Sequence, residues 1–436
     1  MHPGKTSANP FSSSAKTDSV SAGALTTGSV SAAKPAGRST ANDSAGVLST
    51  GYLLVYLMGC ALNNQQPDTP AIEQAAECSD ELLQLADRHS VSALTAQVLQ
   101  GTKAYNNAWE EHRLKALSRT IQFETERTAL YQFLDSEGIW YVPLKGILIQ
   151  NFYPAYGTRE FADNDILYDQ ERTQDVRQWF AQRGYDLEIA PANDGFIKSP
   201  CYNFEMHRVL FREHDTDIRD DFTSAIIKRL MPDGSGSRRR MTDEDAYVYF
   251  VCHADKHASN GGIGLRTLAD FYTYAHFGPS DINRPYVEQE CTRYQVLNFE
   301  QTTASLADKL FAHPNLSSLN NLSVNDQDVL DAFLFAGTYG QESTLLEQRL
   351  RSYDAAAGRA YSSRSSVSTA SKIHYILWRL FPDDRFMLIW CECHEVFPTA
   401  RQHHILLIPI RFYRLILLIP HGASKFNHLI RALWKK

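Results

Sequence analysis

Two aspartates two residues apart, in Asp163-Asn164-Asp165-Ile166-Leu167, constrain this chain more than any other feature. Upstream stand Val142-Pro143-Leu144-Lys145-Gly146, then Tyr153-Pro154 and Arg159, so the pair follows a strand, a glycine turn and a short helix. In an extended strand residues i and i+2 project from one face, roughly 7 Å apart, and both acids then reach one pair of divalent cations. Carboxylates are the natural hard ligands of such ions in phosphoryl chemistry. The same motif standing alone also describes a solvated strand end or a turn.

The segments around the pair read as a small α/β unit. Ile139-Trp140-Tyr141-Val142 is a short aromatic and β-branched run after Gly138, expected as a buried strand. Arg172 to Gly184 has the spacing of an amphipathic helix closed by its glycine, and Tyr185 to Ile189 and Cys201 to Phe211 read as strands. The expected order is β-α-β-α-β-β, with Asp163 and Asp165 on the second strand. Alternation along the last strand puts Glu205 and His207 on one face and Phe204 and Met206 on the other. Before this unit, from Val47 to about Asp135, apolar residues recur at helical spacing, with a helix starting near Pro70; from Asp243 to about Leu350 the helical period returns.

The pattern Lys145-Gly146, Tyr153-Pro154, Arg159, Asp163-x-Asp165 resembles the catalytic core of the DNA polymerase β-like nucleotidyltransferase superfamily. More narrowly, it is similar to an uncharacterised bacterial nucleotidyltransferase family with the pattern Lys-Gly, Tyr-Pro, Arg, Asp-x-Asp. The resemblance covers roughly Val47 to Leu310 and, more loosely, the C-terminal end. It implies a third carboxylate on a neighbouring strand that completes the metal site and draws the acceptor proton, and Glu205 occupies that place in the order of elements. The family also carries an acid-x-His there, matched by Glu205-x-His207. It further implies that Lys256, His257 and Arg266 face the nucleotide, with Asp270 holding Arg266 four residues away. A polar surface stripe on a helix pair is the other reading of those residues. Lys145 is either a phosphate contact or an ordinary exposed lysine. Gly146 permits close approach of backbone to phosphate. Arg159 positions the strand loop or the phosphates, or else pairs with Asp163 or Asp165.

Two departures from the resembled pattern carry expectations. Asn164 is polar where the family is usually apolar, which points to an edge strand. Lys145-Gly146 replaces the Gly-Ser pair that many superfamily members use to cradle the triphosphate.

The implied reaction is attack by an acceptor hydroxyl on the α-phosphate of a nucleoside triphosphate, foremost ATP, with two Mg²⁺ ions, or Mn²⁺, and release of pyrophosphate. The acceptor is a small molecule, a glycan intermediate or a protein. The rival is a degenerate, non-catalytic nucleotide-binding or assembly subunit in carbohydrate or peptide biosynthesis. The expected class is α+β, a small polymerase β-like core (136–212) flanked by helical regions. Residues 1–46 form a disordered tail, 47–135 a helical lead-in, 213–353 a helical domain, 354–371 a linker and 372–436 a basic apolar helical segment.

Composition narrows the rest. Residues 1–46 are rich in Ser, Ala, Thr and Gly and too poor in large apolar side chains to offset the entropy of ordering. They lack the apolar core of a signal peptide, and Pro3-Gly4-Lys5-Thr6 lacks the strand and upstream glycine of a phosphate loop. Seven scattered cysteines fit reduced thiols in the cytoplasm, with Cys391-x-Cys393-His394 and nearby His403 and His404 read as incidental. His253 and His257 have zinc-peptidase spacing, but Ala254 stands where that chemistry needs a glutamate. Asn260-Gly261-Gly262-Ile263-Gly264 reads as a turn, and Arg238-Arg239-Arg240 as an exposed solvated loop.

A net charge of −7 argues against stable nucleic-acid binding. From Lys372 onward ten Lys and Arg stand against four acids, so the C-terminal segment is basic. Its apolar run Ile405 to Ile419 is broken by Pro409, Arg411 and Arg414 and is too short to span a bilayer. It is expected as a buried helix covering the catalytic domain; peripheral membrane contact, with both arginines at lipid headgroups, is the alternative.

Overall fold

The computed structural model describes residues 41–337 except 191, 212–220, 260–261 and 320, together with residues 381, 384, 387, 391, 397 and 406–414. Five helices come first: α1 (Ala41–Leu62), α2 (Thr69–Glu77), α3 (Ser79–Arg88), α4 (Ser92–Leu99) and α5 (Asn107–Ser136). Local signals set their starts. The Asp68 carboxylate accepts from the Ala71 N–H with Pro70 in the first turn of α2, and the Asn106 side chain accepts from Ala108 and Trp109 at α5. α1 begins at Ala41, ahead of the boundary expected at Val47, so Ala41 to Gly46 are helical rather than tail.

A mixed region follows: β1 (Tyr141–Pro143), α6 (Gly146–Ile149), β2 (Asn164–Tyr168), α7 (Thr173–Gln182), β3 (Asp186–Ile189), β4 (Asn193–Lys198) and β5 (Tyr202–His207). Its five strands form one sheet in the order β1-β2-β5-β4-β3. β2 pairs antiparallel with β1 and parallel with β5, while β4 lies antiparallel to both β5 and β3. The parallel pair sets Asp165 opposite Glu205.

Three local expectations need correction. The sheet has one strand more than expected, because Asn193 to Lys198 pairs on both sides despite its Gly195. The last strand ends at His207 instead of running to Phe211. Asn164 is not on an edge strand: β2 is interior, Asn164 is fully buried, and its amide oxygen accepts from Arg127 Nη1 of α5 at 2.7 Å. The Arg127 guanidinium thus satisfies the amide oxygen, while the buried amide nitrogen finds no partner among the described residues.

The remaining elements are α8 (Phe222–Arg229), the ribbon β6 (Met231–Pro232) and β7 (Arg239–Arg240), then α9 (Asp243–Ser259), α10 (Leu265–Phe277), α11 (Arg284–Arg293), α12 (Leu297–Phe311), α13 (Leu316–Leu319) and α14 (Val324–Ala336). The arginine run is therefore part of a ribbon rather than an exposed loop; Arg238 and Arg239 are half-buried, and Arg238 pairs with Asp233 at 2.7 Å.

Alternation divides the sheet between two cores. Ile166, Tyr168, Phe196, Phe204 and Met206 pack with Leu130 and Leu134 of α5 and Val176 and Phe180 of α7. Val142 and Leu167 face the other way, into a larger core that unites α1–α4 with α8–α12 and α14. The lead-in and the later helices, assigned to separate regions from periodicity, thus share one apolar interior. The α+β class holds.

Of the C-terminal segment, Leu407 and Ile410 are buried against Met387 and Cys391 in a small cluster of their own. Among the described residues this cluster is separate from the two cores of the sheet. Arg414 is buried and Arg411 donates to Asp384. Residues 1–40, the linker 354–371, Asn260-Gly261, Cys393, His394, His403 and His404 lie outside the described residues. No helix among the described residues is long and apolar enough to cross a membrane.

Candidate active site

Asp165 is the centre of the arrangement. It sits on the same sheet face as Leu167, at the side of the larger core, and is 5% exposed. Its Oδ1 accepts from Lys145 Nζ at 2.8 Å and from His207 Nε2 at 2.8 Å. A carboxylate only accepts, so the His207 Nε2 carries a proton. Glu205 Oε2 lies 3.6 Å from the same nitrogen and accepts from Asn193 Nδ2 at 3.3 Å. Ligand atoms of Asp165, Glu205 and His207 all fall within 4.8 Å of one another. The shared face of Glu205 and His207 follows from the two-residue period, and their meeting with Asp165 from the β2–β5 register.

Beside this cluster opens a cavity of about 300 Å³. Its lining includes Asp163, Asp165, Lys145, Gly146, Arg159, Arg266, His253 and His257, with Phe161, Phe250, Ala254 and Ile263 as apolar wall. Asp163 stands one residue before β2 and faces this cavity, outside the tight donor cluster; Asp165 belongs to both.

Lys145 is not an exposed lysine. Its side chain is 11% exposed, and its ammonium also lies 6.0 Å from the centre of the Tyr249 ring on α9. Its backbone stands at φ 40°, ψ −111°, a positive φ outside the ordinary regions for a side-chain-bearing residue. Such strain costs of order 1–3 kcal/mol and persists where surrounding contacts impose it. Gly146 follows, and a Cβ there would stand 2.5 Å from Arg159 Nη1.

Arg159 pairs with neither Asp163 nor Asp165. Its Nε and Nη2 donate to the two oxygens of Asp270 at 2.8 and 2.9 Å. Asp270 therefore does not hold Arg266, whose Nη1 instead donates to the Glu160 carbonyl at 2.9 Å. Bidentate geometry to Arg159 outcompetes the short-range i, i+4 pairing within α10. Lys256 lies on α9 with its ammonium 5.9 Å from the Phe211 ring and does not line the cavity, whereas His257 does so from an exposed position. His253 and His257 stack edge-on, 4.4 Å between ring centres.

Electrostatics mark the cluster as crowded with negative charge. Burial alone would raise Asp165, but Lys145 and His207 hold it well below the ordinary carboxylate range. Burial and Asp165 raise Asp163, and the same two causes push Glu205 up to about 7. For Lys145 burial disfavours the ammonium, and Asp165 overrides it and raises the group. Burial lowers His207 against the pull of Asp165, and burial with Lys145 lowers His253 well below its usual value. The two carboxylates of the cluster, with Asp163 on the adjoining cavity wall, need countercharge in a desolvated site, and hard oxygen donors suit divalent cations.

Sequence reasoning missed Tyr249, Asn193 and the apolar wall. Tyr249 and Phe250 fall within the helical period that returns at Asp243, which singles out neither, and Asn193 lies on the unanticipated strand. Comparison with curated proteins and with solved structures finds no match. Residues 76–312, which hold every site element described above, match an uncharacterised nucleotidyltransferase family. That match spans more than half of the chain, which thus belongs to this family of nucleotidyltransferases.

Proposed function

We propose that the protein moves a nucleoside monophosphate, foremost AMP, from a triphosphate to an acceptor hydroxyl on a polymerase β-like core. The observation that supports this best is Asp165 shared between a donor cluster with Glu205 and His207 and a cavity that also carries Asp163, Arg159 and Arg266. Asp163, Asp165 and Glu205 would hold two divalent cations, Mg²⁺ or Mn²⁺. Bound there, such ions neutralise triphosphate charge and stabilise the attacking and leaving oxygens.

The chain's own groups do the remaining work. Glu205, beside Asp165 and one-third exposed, is placed to take the acceptor proton. The hydroxyl oxygen bonds to the α-phosphorus as the bond to the bridging oxygen breaks, and pyrophosphate leaves with Arg159, Arg266 and Lys145 about its oxygens. His207 keeps Asp165 oriented through its Nε2–H. His257 serves the nucleotide from the α9 rim. The acceptor, whether small molecule, glycan intermediate or protein, is supplied in the cytoplasm.

The test offers triphosphates labelled at the α- or the γ-phosphate to the full chain with acceptors of each class. Label should reach an acceptor from the α-position alone, with one pyrophosphate per transfer, and Asp163→Asn should abolish it. Label from the γ-position would contradict the reaction. Tight nucleotide binding without transfer to any acceptor would favour the non-catalytic subunit.

A further inference from the structure

We infer that Asp270 and Tyr153 are positioning residues that set Arg159 as the guanidinium receiving the triphosphate, and that Gly146 is glycine to leave room for it. The inference rests on the nucleotidyltransferase reading and specifies how its site grips phosphate.

Arg159 is 8% exposed, and Asp270, at 4%, takes its Nε and Nη2 in a bidentate pair. Tyr153 Oη donates to Asp270 Oδ1 at 2.7 Å, so the carboxylate is fixed from a second element. A bidentate pair locks the plane of a guanidinium and with it the direction of the third nitrogen. That nitrogen, Nη1, makes no hydrogen bond to the described residues and lies beside Gly146 on the cavity wall. The Nη1–H donors are not consumed by the partner, and a buried guanidinium with an unengaged edge facing a cavity is built to meet an anion. Arg266, anchored on the Glu160 carbonyl, lines the same cavity, so the anion is one of dense negative charge.

Gly146 does not have a positive φ, so the backbone itself does not demand glycine. Space does. A methyl group would meet Arg159 Nη1 at 2.5 Å and Phe161 Cε1 at 3.4 Å. The first of these is the end of a side chain, so an alanine is accommodated by turning the guanidinium and not by unfolding the chain. The sequence pattern Lys-Gly, Tyr-Pro, Arg thus encodes one device: Tyr153 braces Asp270, Asp270 orients Arg159, and Gly146 clears its path.

Calorimetric titration of the full chain with inorganic tripolyphosphate, with metal chelated, tests the device apart from the reaction. Arg159→Lys should weaken binding at least about tenfold, since a hydrogen bond to a charged group is lost. Gly146→Ala should weaken it comparably while the melting temperature holds. The double variant should bind no more weakly than Arg159→Lys alone, because lysine has no Nη1 to collide. Tyr153→Phe should give a smaller loss in the same direction, and in the transfer reaction all should raise KM for the triphosphate more than they lower kcat. Additive losses in the double variant would overturn the clearance role of Gly146. Unchanged binding in Arg159→Lys, or no tripolyphosphate binding by the folded wild type, would overturn the whole inference. If the coupling holds but no α-label is ever transferred, the phosphate grip stands and the reaction assigned above does not.

Discussion

Asp194 on β4 and Asp165 on β2 are both buried in the five-stranded sheet, on opposite faces, and their surroundings differ in the balance of charge. Asp194 is completely enclosed and meets two guanidiniums, Arg177 Nε at 2.7 Å and Arg208 Nη1 at 2.6 Å. Arg208 is itself tied to the Ala190 carbonyl. One carboxylate thus answers two cations, and neither arginine has far to look for a partner. Asp165 meets one ammonium and one lowered histidine, with Asp163 and Glu205 crowding it. The first arrangement is complete in the protein alone. The second is short of positive charge, which is the signature of a site that completes itself by binding.

The comparison breaks most sharply through paired substitutions. Asp165→Asn should cut transfer by at least about 10³-fold, since a metal ligand is worth several kcal/mol in the transition state. Its effect on stability should be modest, about 1 kcal/mol, because loss of the Lys145 ion pair is offset by relief of the repulsion that Asp165 exerts on Asp163 and Glu205. Asp194→Asn should do the reverse. Two arginines lose their buried carboxylate, which costs about 3 kcal/mol, while the folded fraction keeps its turnover. Urea denaturation beside the α-label assay separates the two; equal losses of stability in both variants would erase the distinction.

A smaller effect sharpens the same point through pH. Burial and Asp165 raise Glu205 from 4.5 to about 7, so between those values the folded chain binds more protons than the unfolded one. Stability linked to this group is then present in full below about pH 4.5 and is lost as pH rises through about 7. Glu205→Gln should therefore stabilise the metal-chelated protein by about 1 kcal/mol above that window and hardly at all below it, after allowing for a side chain one-third exposed. Adding Mg²⁺ should give the wild type the same gain and the variant little of it. Melting curves across pH, with and without the ion, check both halves; a gain independent of pH would contradict the assigned cause.

The differing legibility of the site has a physical basis. Glu205-x-His207 is a period-two pattern fixed by the local geometry of a strand, and the order of elements brings it to Asp165; Asp163, expected on the same strand as Asp165, stands just before β2 and reaches only the cavity. The Arg159–Asp270 pair spans 111 positions, so spacing favoured Arg266, the near neighbour on the same helix. Strand β4 has weak local preference, with Asn193, Asp194 and Gly195 at its start, and exists because strands pair with it on both edges. Asn164 looked like a mark of exposure because its partner, Arg127, lies on α5, where nothing in the sequence singles it out. The helical regions were legible one by one from their period, but not their merger into one core, since periodicity shows that a face is apolar and not what covers it.

The central claim is that the surplus of carboxylate around Asp165 is a divalent-cation site. Mn²⁺ binding to the full-length chain, followed by electron paramagnetic resonance, tests it most directly in the wild type, in Asp165→Asn and in Asp194→Asn. The wild type and the folded Asp194→Asn variant should bind the ion alike, and Asp165→Asn at least about 30-fold more weakly, as expected for loss of a charged ligand. Mn²⁺ binding to Asp165→Asn with wild-type affinity would contradict the account.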